Sequence, residues 1–247
     1  MKRAFVFARR NIKETLRSPV SWEFGLALPI AIFVIMQIIV KSIGAAASQV
    51  PMFMAERFTG GVAIFGGSFL TMLTAMNISG DRAKSFLSRL VASPMTSADF
   101  IIGYMLGILP FAVVQNVVVF ATAMCFGLVT VNIIPALLFA MLFSLLFIAT
   151  GVLLGSALPD KSTPPVCSAV VQVAALLSGM WFDLDMIGGG FAVFCRVLPF
   201  AHCYDAIRYT LVGEWEKLWL PIVVVIAYTI VLFVLAVVMF GRSKKRA

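Results

Sequence analysis

Apolar residues in this chain gather into long runs instead of alternating with polar ones. The runs occupy residues 22–40, 59–79, 100–129, 135–158, 164–182 and 218–240. Each is near or above the roughly 20 residues, at about 1.5 Å rise apiece, that cover a hydrocarbon core of about 30 Å. A backbone crossing lipid must satisfy its own N–H and C=O groups, so the runs predict six transmembrane helices. The third is long enough to tilt, and Pro110 inside it favours a kink. No remaining segment is long enough for a soluble domain, and residues 1–247 read as one all-α integral membrane unit.

Three stretches between the runs carry their own patterns. After the second run, Ala83, Phe86, Leu87, Leu90 and Val91 recur at helical spacing, with Asp81, Arg82, Lys84 and Arg89 off that stripe. This predicts a surface amphipathic helix over 81–92, which Ser93-Pro94 stops because proline displaces the residue before it from the helical region. Thr96 through Asp99 then reads as a capping box opening the third run. In residues 1–20, Ala4, Phe5, Ala8, Ile12 and Leu16 share one face opposite the basic side chains, the pattern of a helix lying in the membrane interface. Residues 183–215 are too apolar for a solvated loop, yet Gly188-Gly189-Gly190 and Pro199 interrupt them. Two short helices dipping into the outer leaflet fit better than another span. Asp205 and Arg208, three apart, place opposite charges on one face.

Composition agrees with this class: 62% of residues are hydrophobic and 12% charged, with a mean hydropathy of +1.05. Most of the 19 Lys and Arg stand on one side of the runs: Lys2, Arg3, Arg9, Arg10, Lys13 and Arg17 before the first, then Arg82, Lys84, Arg89, Lys161 and the basic tail. The positive-inside rule puts both termini in the cytoplasm, and Trp22, Trp181, Trp215 and Trp219 fall at run ends, where amphipathic rings prefer to sit. The net charge of +8 is accounted for by flanks facing anionic lipid, without a nucleic-acid partner. A cleavable signal peptide at the N-terminus is disfavoured, because its apolar run is too long for a signal core.

The chemistry of the chain is sparse. No G-x-x-x-x-G-K-[ST] occurs, so it has no P-loop of its own. His202 is the single histidine, which rules out a multi-histidine metal site; beside Asp205 it suggests a structural role at the interface. No catalytic residues or metal ligands are assigned. Gln37, Asn77, Gln115, Asn116 and Gln172 fall within the runs, where neighbouring helices are their expected partners. No charge lies at the centre of a run, which disfavours an ion- or proton-driven mechanism. Gly103-x-x-x-Gly107 and Gly151-x-x-x-Gly155 allow close packing of the third and fourth spans. Cys195 and Cys203 could form a disulfide in an oxidising compartment or stay free.

Leu87-x-Arg89-Leu90-x-Ala92-Ser93-Pro94-Met95-Thr96, followed by Ile102-Gly103, resembles the loop between the second and third spans of type-2 ABC exporter permeases. Leu177-Ser178-Gly179, Leu198-Pro199 and Asp205-Ala206-Ile207-Arg208 with Gly213 are similar to the fifth span and outer re-entrant helices of that family. The basic N-terminal helix matches its interfacial elbow helix. The resemblance implies a plasma (cytoplasmic) membrane subunit that pairs with a second copy or a close paralogue. Two separately encoded ATPase subunits would hold ATP and Mg below it. Residues 81–92 would be the coupling helix, with Phe86, Leu87 and Leu90 as docking contacts, Arg82 and Arg89 as polar anchors and Pro94 closing the element. Leu198, Pro199, Asp205, Arg208 and Gly213 would form the outer re-entrant gate. A path along the second and fifth spans would pass Met72, Met76, Gln172, Leu176 and Met180. A hydrophobic drug-like or lipidic substrate is the first expectation. A glycan or lipid-linked polymer, or a channel or scaffold without an ATPase, is the alternative.

Overall fold

The computed structural model describes residues 2–44, 54–83 and 96–244. Phe86, Leu87, Arg89, Leu90 and Pro94 lie outside that set. Among the described residues the regular structure is helical, with no strand. In chain order the helices are α1 (Lys2–Arg17), α2 (Pro19–Ile43), α3 (Ala55–Ala83), α4 (Ser97–Cys125), α5 (Ile133–Ala157), α6 (Thr163–Leu177), α7 (Leu184–Ile187), α8 (Gly189–Val197), α9 (Pro199–Val212) and α10 (Trp219–Lys244). Five of them are long and apolar enough to cross a membrane: α2, α3, α4, α5, and α10 with the turn before it.

The run 164–182 is shorter as a helix than as a sequence pattern. α6 has 15 residues, which reach about 22 Å against a hydrocarbon core of about 30 Å. Its end has a local cause. Ser178 Oγ accepts the Met180 N–H at 3.2 Å, and Gly179 turns the chain at φ 84°, a region glycine enters without steric cost. At the other boundary the pattern underestimated a helix. Asp81 and Arg82, expected to open a separate surface helix, form the last turn of α3.

α3 is the axis of the fold. Within its apolar window 89% of residues are buried inside the protein, against 17% for α2 and 11% for α10, so α3 is walled by helices while the other two lie on the outside of the bundle. α5 supplies one wall. A Cβ on Gly151 would lie 2.5 Å from the Thr71 carbonyl oxygen, and one on Gly155 would lie 2.8 Å from Ala75 Cα. The small residues of α5 therefore receive α3. Those of α4 receive α1 instead, since Phe7 and Asn11 occupy the space beside Gly103 and Gly107. Both glycine pairs do pack within the subunit, but their partners are these helices.

Of the polar residues expected at depth, Asn77, Gln115 and Asn116 bond neighbouring helices, as lipid demands. Pro29 has no N–H to return to the Gly25 carbonyl. The helix slips to a wider register over Glu23–Ala27, and Gln115 Nε2 donates to that carbonyl at 2.5 Å. Asn116 Nδ2 donates to Ser144 Oγ at 3.0 Å, joining α4 to α5. Thr96 and Asp99 form the reciprocal capping box expected at the start of α4. α4 then continues unbroken through Pro110.

Beyond α6 the chain makes α7, α8 and α9. Pro199 opens α9 at its first turn, where a missing N–H costs nothing. Gly213 closes it at φ 87°, and the Glu214 N–H reaches back to the Tyr209 carbonyl at 2.8 Å, the Schellman arrangement. Cys195 and Cys203 are free thiols. Cys195 packs with Leu184 and Ala201, whereas Cys203 belongs to the main core, so the two serve different clusters and the disulfide is absent. His202 is structural: its Nε2 meets the Arg196 carbonyl at 2.8 Å, tying α8 to α9.

Candidate functional site at the foot of α3

The last turn of α3, just ahead of residues 84–95, is tied to three other helices. α1 can lie across α4 because Gly103 and Gly107 leave room for it. Phe7 meets Phe100 and Tyr104 edge to face, with ring centroids 5.7 and 4.9 Å apart. That seat fixes Arg10 beside α3. Its guanidinium forks onto the Asp81 carboxylate, Nη1 to Oδ2 at 2.5 Å and Nη2 to Oδ1 at 2.7 Å. Tyr104 Oη donates to the same Oδ2 at 2.9 Å, and Glu14 takes a further contact from Arg10 at 2.7 Å.

Asp81 is 3% exposed. A carboxylate so enclosed is costly unless paired, and a two-pronged arginine with a phenol is the pairing that offsets the loss of water. The bond to Asp81, opposed by partial burial and helped by the nearby carboxylates, holds the Arg10 guanidinium above its ordinary value. A second tie lies one turn up, where Asn77 Nδ2 donates to Thr15 Oγ1 at 3.2 Å.

Arg82 turns the other way. It donates to the carbonyls of Gly155 at 2.7 Å, Ser156 at 2.8 Å and Leu158 at 3.3 Å. Those are the unpaired carbonyls at the negative end of α5, where a cation is favoured. Ser79 Oγ adds a bond to Asp160 Oδ1 at 3.1 Å, just past α5. Arg82, expected as a polar anchor for a partner, makes these three bonds within the chain.

At the opposite end of α3, Arg57 pairs with Asp183 after α6. Asp205 and Arg208 form the expected pair on α9 at 3.8 Å, and Arg208 also lies over the Tyr209 ring at 4.7 Å. Tyr204, Asp205 and Arg208 line a small cleft together with Arg57 and Asp183. Leu198 is half-buried and Pro199 buried where α8 turns into α9. Of the path candidates, Met72 and Met180 are buried, Met180 against Gly61, while Met76 is half-buried and Gln172 and Leu176 are exposed.

Pattern reading missed Arg10, Tyr104 and Asp183, and it placed Asp81 only as an off-stripe residue. The available signal was Asp81 itself, an acidic residue set among Arg82, Lys84 and Arg89.

The profile of the family described as ABC-2 type transporter matches residues 3–212. The chain belongs to the ABC-2 type transporter family. It is accordingly a multi-pass transmembrane subunit of an ABC transporter. The chain is also 27% identical, over 180 residues, to ABC transporter G family member 20 of Dictyostelium discoideum, with 70% of the chain and 25% of that protein covered. It thus spans about a quarter of the length of that relative.

Proposed function

We propose that this ABC-2 permease is the transmembrane half of an ATP-driven exporter that moves a hydrophobic drug-like or lipidic molecule out of the cytoplasm. Two copies, or one copy and a close paralogue, form the pathway in the plasma membrane, with both termini cytoplasmic. Two ATPase subunits bind ATP and Mg below. α6 with its flanking turns serves as a sixth crossing, and α8 and α9 re-enter from the outer side. Residues 84–92 dock on the ATPase through Phe86, Leu87 and Leu90.

The reading is carried by one observation. The most enclosed helix, α3, is bonded to α1, α4 and α5 at the end that runs directly into residues 84–95. Movement of the foot of α3 is passed to those three helices through charged and hydrogen-bonded contacts. Leu87→Asp in the assembled transporter tests it. ATPase stimulation by substrate and transport should both fall at least tenfold while membrane insertion is kept, and unchanged coupling would overturn the assignment.

A further inference from the structure

Two cavities lie on either side of α1, and Val6 and Arg9 line both. The larger, about 950 Å³, separates α1 from the lower half of α3. The smaller, about 500 Å³, is apolar and lies between α1 and α4, lined by Phe5, Ile12, Leu106, Leu109 and Pro110.

The larger cavity is basic. Arg9, Lys13 and Arg17 follow one another at four-residue steps and so stand on one face of α1. Its two carboxylates, Glu14 and Asp81, are both engaged by Arg10. Among the described residues no carboxylate pairs with Arg9, Lys13 or Arg17. Three like charges in a row repel each other, and an anion seated among them would relieve that repulsion. The adjoining groove offers nothing polar apart from Arg9, so an occupant of both cavities carries an anionic head and an apolar tail.

We propose that the α1 cleft binds an anionic phospholipid, its phosphate held by Arg9, Lys13 and Arg17 and an acyl chain laid in the groove against Leu106, Leu109 and Pro110. Neither half of the site explains the other alone. A free phosphate has no use for the groove, and an uncharged lipid has no use for the basic row. The proposal rests on the cytoplasmic placement of α1 given above, but not on the ATPase. It makes α1 an element whose position depends on the lipid beside it, two side chains away from the bond to Asp81.

Native mass spectrometry of the full chain in non-ionic detergent tests this. The chain is titrated with phosphatidylglycerol, with phosphatidylcholine of the same acyl chains, and with inorganic phosphate. Phosphatidylglycerol should be retained at least tenfold more tightly than phosphatidylcholine. The Arg9→Gln/Lys13→Gln/Arg17→Gln variant should lose that preference, and Arg9→Lys/Arg17→Lys should keep most of it. Equal retention of the two lipids, or an undiminished preference in the glutamine variant, overturns the site. Displacement of the lipid by millimolar phosphate overturns its assignment to a lipid. Equal retention of the two lipids by a protein that Leu87→Asp does uncouple sinks this proposal alone, whereas unchanged coupling in Leu87→Asp with the lipid preference intact sinks the ATPase docking and leaves this site standing.

Discussion

Arg10 and Asp81 stand 71 positions apart in the chain and are joined by two hydrogen bonds of 2.5 and 2.7 Å. One comes from a helix lying across the bundle, the other from the foot of the helix at its centre. Whatever displaces one of them displaces the other.

Breaking this pair should therefore cost stability as well as coupling. Asp81→Asn keeps the volume but leaves Arg10 with Glu14 as its remaining counter-charge. A fully buried pair would cost about 3–5 kcal/mol on losing one partner. Arg10 is 34% exposed, and solvent reduces that to about 2 kcal/mol. Arg10→Gln should cost a similar amount. The double variant should lose clearly less than the sum of the two, because the contact can be lost only once. Thermal unfolding in detergent reads the stability. A fully additive double variant would show that the two side chains do not interact.

The seat of α3 on α5 should be intolerant of a single methyl group. Gly151→Ala places a Cβ 2.5 Å from a backbone oxygen of α3, and backbone cannot swing aside as a side chain does. Overpacking of this kind costs about 1–3 kcal/mol. Gly190→Ala, where nothing lies within 4 Å, is the control and should be close to neutral. Parallel melting curves of the two variants decide the matter.

The Arg57–Asp183 pair responds to charge order. Asp183→Asn leaves Arg57 half-buried in a cleft that also holds Arg196 and Arg208, and the expected loss is about 1–2 kcal/mol. Reversing the pair, Arg57→Asp with Asp183→Arg, should recover part of it. Failure of the reversal together with a full loss in each single variant would point to the surrounding arginines, and not the pair, as the cause.

Thiol chemistry should separate one cysteine from the rest. Cys125 is exposed, whereas Cys167, Cys195 and Cys203 are buried. Burial also pushes the Cys203 thiol up, so less of it is the reactive thiolate at neutral pH. A membrane-permeant maleimide should label Cys125 first in the folded protein and the other three only after denaturation. Cys125→Ser should then be nearly unreactive until unfolded. Labelling of both Cys195 and Cys203 in folded protein would contradict their burial.

The long apolar runs were legible because lipid leaves the backbone few alternatives. The capping box at Thr96 and the charge pair on α9 were legible because both are local, three residues apart. The joint at the foot of α3 was not. Arg10 reads as one of six basic residues on a polar face, and nothing in its neighbours tells that Gly103 and Gly107 will bring it to Asp81. The end of α6 was hidden for another reason. Hydropathy does not register that Ser178 and Gly179 can turn an apolar run aside. Arg82 was hidden likewise: its residue type does not tell that it will bond the open end of α5.

The uneven enclosure of the helices sets where the bilayer can act. α3 has almost no lipid boundary, so a thicker or thinner membrane cannot pull on it directly. α2 and α10 carry that boundary, and helices adjust to mismatched thickness by changing tilt. Only Ser18 separates α2 from α1, and α1 holds Asp81. A change in the tilt of α2 is thus carried through α1 to the foot of the innermost helix.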